Sequence, residues 1–279
     1  MLPAISFDVP VEPTLFSPLQ LRPRAVLGLT ISGLSRWLAT HLVSYPELLG
    51  KHRIGMVAAA VRLDYARPHL RFDEADWLTT TATLAVSTTG TWLRLRAELT
   101  TSTRPAATVV LELRPVDLGD DPDGMSALPG SLPEGLLGGF AVEERFTADP
   151  RAAVRAAVPP RTGTALGETA SYPVHLYRSH CEVADQWSFV EVAELLTRAR
   201  ERLFLSDPRP SDRLRLAVSA PVRSFSALLR RPMYAFDEGT GTVRAFDAPD
   251  GAVFVHSLRR SSATKPNVSA WELMDAEDS

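Results

Sequence analysis

Two segments of the chain carry apolar residues at helical spacing, and each segment predicts an amphipathic helix. The first is followed by the breakers Pro46 and Gly50, and Thr30 or Ser32 can cap its start. We predict the second from about Ser188 to Phe204. One face of the first helix carries Leu34, Trp37, Leu38, His41, Leu42 and Tyr45. The stripe of the second is formed by Phe189, Val192, Ala193, Leu195, Leu196, Ala199 and Leu203.

Runs rich in β-branched residues, some with alternating apolar and polar positions, predict strands in the neighbourhood of both helices. After the first helix, the predicted strands are residues 55–65, 77–87, 91–100 and 107–116, with a hairpin turn at 87–90. Near the second helix, they are residues 174–183 before it and 214–222, 224–229, 242–246 and 252–258 after it. Each group therefore combines one helix with an antiparallel meander.

A short motif occurs once in each group. Residues 67–74 and 231–238 share the pattern Arg-Pro-x-x-x-Phe-Asp-Glu, and each copy follows a predicted strand. Together with the repeated order of elements, this match favours a tandem repeat.

Prolines separate the two groups. Eight of the 22 prolines lie between Pro115 and Pro173, and this density disfavours long helices and strands there. A structureless loop of such length is uncommon inside one compact domain, so we interpret the segment as a linker with one short helix near residues 149–157. The 279-residue chain is thus predicted to consist of an N-terminal domain (1–118), a linker (119–170) and a C-terminal domain (171–279).

Composition and charge exclude several classes of protein. The formal net charge of -3 argues against a nucleic-acid partner, and the single cysteine, Cys181, excludes an internal disulfide framework. No apolar run approaches a membrane span, and the N-terminal residues lack a signal-peptide pattern, so we expect a cytoplasmic protein without membrane contact. Only two of the 30 basic residues are lysine, a bias typical of GC-rich coding DNA such as that of actinobacteria.

Residues 61–84 (VRLDYARPHLRFDEADWLTTTATL) resemble the hotdog superfamily of acyl-CoA thioesterases and dehydratases, in which an Asp-Tyr-x-x-Pro strand end and an acidic turn precede Thr-rich strands. Residues 181–201 (CEVADQWSFVEVAELLTRARE) are similar to the strand, Asp-containing loop and central helix of that superfamily. The resemblance covers most of residues 25–118 and 172–260. It implies an α+β fold, a tandem double hotdog in which each half has a central helix wrapped by a curved antiparallel sheet.

Three residues are candidate catalytic groups. Asp185 precedes the second helix, where a carboxylate can act as base or nucleophile beside backbone N–H groups, although Asp185 or Ser188 can also simply cap the helix. Glu191 can activate water, or it can be a solvated residue like Glu194, whose partner would be Arg198. His41 becomes catalytic only with an acid such as Asp64 or Asp73 nearby, and it is otherwise a core histidine.

Four further residues are candidates for substrate binding: Trp187, Ser188, Tyr65 and Trp37. Trp187 can cover an acyl or pantetheine tunnel, and the hydroxyl of Tyr65 can donate to a thioester oxygen. For both aromatics the alternative is ordinary packing. No residue spacing typical of a metal site is present, so no metal is predicted.

The resemblance implies a substrate held as an acyl thioester on coenzyme A or an acyl carrier protein, without a separate cofactor. Hydrolysis is the plainest reaction, with Asp185 or Glu191 activating water. Dehydration of a β-hydroxyacyl thioester, an acyltransferase/decarboxylase reaction of polyketide assembly, and a non-catalytic acyl-binding or carrier-binding module are the alternatives. Where many thioesterases of the superfamily have Gly-His-x-Asn, this sequence has Gln186-Trp187-Ser188-Phe189, and no local His/acid motif of the dehydratase type is evident. The repeat can pair within one chain, and a homodimer is left open.

Overall fold

A computed structural model of the chain describes residues 3–119, 128–147, 149–156, 163–182, 186–249 and 251–275. Two long helices dominate the helical content of these residues, and the other helices are short. The α-helices are α1 (Pro23–His41), α2 (Tyr45–Gly50), α3 (Glu134–Leu137), α4 (Ala152–Ala156), α5 (Phe189–Ser206) and α6 (Asp212–Ser219). Among them, none is both long enough and apolar enough to cross a membrane.

The strands of the described residues form one sheet. In the first part of the chain they are β1 (Ala4–Pro10), β2 (Ile54–Tyr65), β3 (Trp77–Ser87), β4 (Leu93–Thr100) and β5 (Pro105–Asp117). Two very short strands follow, β6 (Leu128–Pro129) and β7 (Arg145–Phe146). In the last part they are β8 (Ala170–His175), β9 (Val222–Leu229), β10 (Glu238–Ala248), β11 (Gly251–Arg260) and β12 (Val268–Asp275).

The strand order shows the internal repeat directly. It is β1-β3-β4-β5-β2-β9-β12-β11-β10-β8, so the second half repeats the first in reverse across the central β2–β9 pair. That pair is antiparallel, with Ala60 opposite Leu228 and Asp64 opposite Ser224. Helix α1 precedes the first meander and α5 precedes the second. The predicted α+β double hotdog is therefore confirmed, and the two copies of the Arg-Pro-x-x-x-Phe-Asp-Glu motif follow the equivalent strands β2 and β9.

The start of α1 differs from the prediction. The helix begins at Pro23, whose fixed φ and missing N–H suit the first helical position, and Thr30 and Ser32 lie inside the helix. Their hydroxyls donate to the carbonyls of Val26 (2.8 Å) and Gly28 (3.2 Å). The predicted cap at Thr30 or Ser32 is wrong, because these hydroxyls bond back to the preceding turn.

One predicted strand is wrong, and a second is shifted along the chain. Residues 214–222 were expected to be extended, but α6 occupies most of them and Ser211 caps its start. A short apolar run does not distinguish a strand from a buried helix turn. The predicted strand at 174–183 begins earlier, as β8, and a 3-10 helix (Arg178–His180) follows it. The remaining predicted strands and the second helix are confirmed within a few residues, and the sequence patterns missed β1 and β12.

Helices α1 and α5 pack on one face of the sheet and contact each other. Gly33 lets α1 approach β3, because a Cβ at this position would lie 2.8 Å from the Cβ of Ala82. The opposite face carries a small apolar cluster in which Val154 of α4 packs with Ala60 and Leu228. The short helix α4 lies where a short helix was expected, whereas the division into 1–118, 119–170 and 171–279 stays a prediction.

Candidate functional site

The first turns of the two central helices are joined by an ion pair. Arg24 of α1 donates from Nε (2.9 Å) and Nη2 (2.7 Å) to Oε1 of Glu191 in α5. Hydrogen bonding to Glu191 and its charge raise the pKa of Arg24 above its ordinary value. Glu191 is thus a half-buried carboxylate that links the two halves. The predicted pairing of Glu194 with Arg198 is confirmed, since the two side chains lie 3.8 Å apart along α5.

The start of α5 has no side-chain cap. Ser188 is the N-cap residue by backbone conformation, but its hydroxyl makes no capping hydrogen bond. Ser188 is therefore not the capping side chain that the sequence allowed. Asp185, the other predicted cap and the first candidate base, lies outside the described residues. The backbone N–H groups at the start of α5 therefore donate no hydrogen bond to the Ser188 hydroxyl, and they can polarise a carbonyl.

Trp187 fixes the loop before α5. Its backbone N–H donates to the carbonyl of Met233 (2.8 Å), and residue 187 also forms an isolated β-bridge with Cys181. The Trp187 side chain belongs to the main apolar core. Its position next to the helix start is the one expected for a residue that covers a tunnel, although that role stays a prediction.

Glu182 lies in the same loop and was not singled out from the sequence. Partial burial of its carboxyl raises the pKa of that group to about 7, although the residue as a whole keeps an exposed surface. Burial, together with the charge of Glu182, raises the pKa of Tyr45 to about 12. Tyr45 starts α2 in the first half, so residues of both halves surround this loop. The sequence signal was weak, because Glu182 is one of several acids in residues 181–201.

Trp37 and His41 lie at the end of α1. The indole N–H of Trp37 donates to the carbonyl of Pro3 (2.9 Å), and its ring stacks on Phe140 with centroids 5.5 Å apart. His41 is exposed and contacts the Trp37 ring, and in the described part of the chain no carboxylate bonds to it. The acids proposed for it, Asp64 and Asp73, pair with arginines instead. His41 therefore lacks the partner that its predicted catalytic role required.

The hydroxyl of Tyr65 is already bonded. It donates to the carbonyl of Leu21 (2.7 Å), in the loop that leads into α1. Burial raises the pKa of Tyr65 far above its ordinary value. The side chain of Gln20 bonds to both backbone groups of Val222 at the start of β9. The α1 loop is therefore fixed to both halves of the sheet.

A second cluster lies beyond the end of β2. Nε2 of His69 lies 2.5 Å from Oδ2 of Asp275, and Arg67 binds the other oxygen of the same carboxylate. Arg104 binds the backbone carbonyl of His69 (3.1 Å), and the His69 ring contacts the edge of Tyr65. Sequence reasoning missed His69 and Asp275, which are 206 positions apart. The available signal was the first copy of the repeated motif, which contains His69.

The layer under α5 contains buried charges, whereas the layer under α1 is mainly aliphatic. Glu272 of β12 accepts hydrogen bonds from Arg200 of α5 (2.9 Å) and His256 of β11 (3.0 Å). All three residues are buried. The corresponding core under α1 is built from residues such as Leu34, Leu84 and Leu95.

No group of three or more metal-ligating side chains occurs within the described ranges. The structure also contains a surface groove of about 390 Å³, which lies between Glu168 and the end of α5 near Asp207. This groove is at the opposite end of α5 from Ser188 and Glu191, so it does not form part of the site around the helix starts.

Comparison with known proteins defines the fold. No protein-family model and no curated protein matches the chain. A Lactobacillus plantarum protein described as an oleoyl thioesterase has a similar structure, with a TM-score of 0.72, 10% identity and coverage of 99% of this chain and 98% of that one. The 12:0-ACP thioesterase of Umbellularia californica gives a TM-score of 0.67 at 10% identity, over 97% of this chain and 93% of that one. An acyl-ACP thioesterase of Bacteroides thetaiotaomicron gives 0.64 at 9% identity, over 98% of both chains. At these identities the similarity establishes the double hotdog fold over the length of the chain.

Proposed function

We propose that this protein hydrolyses acyl thioesters of coenzyme A or of an acyl carrier protein. The observation that carries the proposal is the fold match, over almost the whole length, to three solved structures described as oleoyl, 12:0-ACP and acyl-ACP thioesterases. A match confined to one hotdog half would leave the pairing of the halves unexplained. Here the match extends over both halves, which this chain joins through the β2–β9 pair.

The geometry around the helix starts suits the reaction. Thioester hydrolysis needs donors for the developing oxyanion, and the start of α5 lacks the Ser188 side-chain cap. It also needs an apolar site for the acyl chain, which the core under α1 offers and the Arg200–Glu272–His256 cluster under α5 does not. We therefore propose that the acyl chain lies in the first half.

The reaction requires a base that activates water. Asp185 and Glu191 remain the sequence-based candidates, and Glu182 joins them because its carboxyl has a pKa of about 7. Activated water attacks the thioester carbonyl, the tetrahedral intermediate expels the thiolate, and the proton taken from water passes to that thiolate. The products are a carboxylic acid and the free thiol of the carrier.

Dehydration of a β-hydroxyacyl thioester is the second candidate. The resemblance implies a His with an Asp or Glu for that reaction, and His69 and Asp275 supply such a pair. We also propose that the acyl carrier belongs to a polyketide pathway of an actinobacterium.

Intact-protein mass spectrometry of acyl carrier proteins tests the reaction class. We expect loss of the acyl group from at least one carrier in a panel of short, medium, long and β-hydroxy acyl chains, with parallel release of free thiol from the acyl-CoA panel. Loss of one water would select dehydration, and loss of carbon dioxide would select decarboxylation. No change in either panel would contradict the enzymatic proposal and favour a binding module.

A further inference from the structure

His69 has the surroundings of a general base. Its Nε2 donates to Asp275, and Arg67 donates to the second oxygen of that carboxylate. Both side chains of the His–Asp pair are about one-tenth exposed, at 11% and 12%. The other ring nitrogen, Nδ1, is buried and makes no hydrogen bond within the described part of the chain.

The pairing with Asp275 fixes the tautomer of the ring. Because the carboxylate accepts the proton of Nε2, the lone pair of the neutral imidazole lies on Nδ1. Buried polar atoms are nearly always hydrogen-bonded, so Nδ1 calls for a donor. A bound water molecule is one donor that could make this hydrogen bond.

The repeat relates His69 to a position that contacts the loop before the other central helix. His69 is the third residue of the first motif copy, and Met233 occupies the same position in the second. The carbonyl of Met233 accepts from Trp187 in the loop before α5. In the first half, the Tyr65 ring contacts the His69 ring, and the Tyr65 hydroxyl donates to the carbonyl of Leu21 in the loop before α1. Of these two equivalent positions, only the first therefore carries a side chain that can move a proton.

We propose that His69 is the base that activates water for thioester hydrolysis, with Asp275 as its positioning residue. This inference rests on the proposed function and places the base near the loop before α1, whose first turn is joined to that of α5 by the Arg24–Glu191 pair. Nδ1 of His69 takes a proton from water, and the resulting hydroxide forms a bond to the carbonyl carbon. When the C–S bond breaks, the imidazolium returns the proton to the leaving thiolate.

The charges around His69 set its protonation. Burial, followed by the charges of Arg67 and Arg104, lowers the pKa of His69 below its ordinary value of 6.5. The other groups that face this cluster are Asp275 from β12, Tyr65 from β2 and Glu74, which pairs with Arg104. Because the base must be neutral, kcat should rise with pH through an apparent pKa below 6.5 and then level off.

The test compares His69→Gln and Asp275→Asn with His175→Gln on one acyl thioester that the wild-type protein hydrolyses. His175 is an exposed residue of β8 whose only ion-pair partner in the described residues is Glu238 at 3.5 Å, so His175→Gln should retain wild-type kcat. We expect His69→Gln to lower kcat by about 10²–10⁴-fold, with KM changed much less and the acid limb of the pH profile lost. Asp275→Asn should also lower kcat, and ¹⁵N NMR of the imidazole should show the proton moving from Nε2 to Nδ1.

The outcomes separate this inference from the proposed function. A wild-type protein that hydrolyses none of the thioesters overturns the proposed function itself. Wild-type activity that survives in His69→Gln, or that is lost only in Asp185→Asn, overturns the assignment of His69 alone. If His69→Gln does not fold, the pH profile of kcat and the ¹⁵N NMR spectrum of the wild-type protein provide the test. A kcat that does not fall at acid pH, or an imidazole with its proton on Nδ1, contradicts the proposal.

Discussion

Glu272 shows how much one buried charge depends on its partners. Burial raises the pKa of its carboxyl, but the charge of Arg200 and the hydrogen bond from His256 outweigh burial, so the pKa lies below its ordinary value of 4.5. A depressed folded-state pKa stabilises the protein above pH 4.5, and this stability is lost as the pH falls through the folded-state value. The cluster therefore stabilises the protein at neutral and higher pH, and the loss of this stability at low pH makes the protein sensitive to acid.

We expect Glu272→Gln to lower the free energy of unfolding by about 3–5 kcal/mol at pH 7, because Arg200 would remain buried without a counter-charge. Glu98→Gln is the matched control, since Glu98 also pairs with a strand arginine, at 3.0 Å, but both side chains are more than half exposed. Its effect should stay below about 1 kcal/mol. Urea denaturation of both variants measures the difference, and equal effects would contradict the role given to the cluster.

At the scale of elements, the contact between α1 and β3 depends on a residue without a side chain. Gly33 leaves no room for a Cβ, because Ala82 would be 2.8 Å away. Gly28 lies earlier on the same helix, and a Cβ added there would have no atom within 4 Å. The two glycines therefore separate packing from helix propensity.

Gly33→Ala should destabilise the protein by about 1–3 kcal/mol through overpacking, despite the better helix propensity of alanine. Gly28→Ala should instead stabilise it by up to about 1 kcal/mol. Adding Ala82→Gly to Gly33→Ala should recover part of the loss, because it removes the clashing methyl group. Thermal unfolding of the four proteins provides the measurement, and a neutral Gly33→Ala would show that the helix can shift without cost.

At the scale of the whole molecule, the two halves are joined by more than a linker. The β2–β9 pair makes the sheet continuous, the Gln20 side chain bonds to Val222, and Arg24 pairs with Glu191. Separation of the halves would expose β2 and β9 as open edges with unpaired backbone groups.

We expect the protein to unfold in one cooperative transition. The calorimetric enthalpy should equal the van't Hoff enthalpy, and near-UV and far-UV circular dichroism should give the same midpoint. Two resolved transitions would mean that each half is stable on its own and that the central strand pair adds little.

Local patterns in the sequence determined most of the elements and their repetition. Alternation and β-branched runs predicted β2 to β5 and β9 to β11 in order, and the helical stripe predicted α5. The repeated motif and the resemblance then indicated the double hotdog. The errors were local as well, since a proline start for α1 and a short helix at α6 have weak or ambiguous periodicity.

Only the tertiary structure decided which side chains meet. Arg24 and Glu191 are 167 positions apart, and His69 and Asp275 are 206 positions apart. Four of the seven sequence-based candidates lie near the start of α5, whose flanking loop is rich in recognisable polar residues, and the structure added the pair beyond β2. Periodicity describes how one segment buries its own face, whereas these contacts arise from the antiparallel pairing of β2 with β9, which brings together residues from opposite ends of the chain.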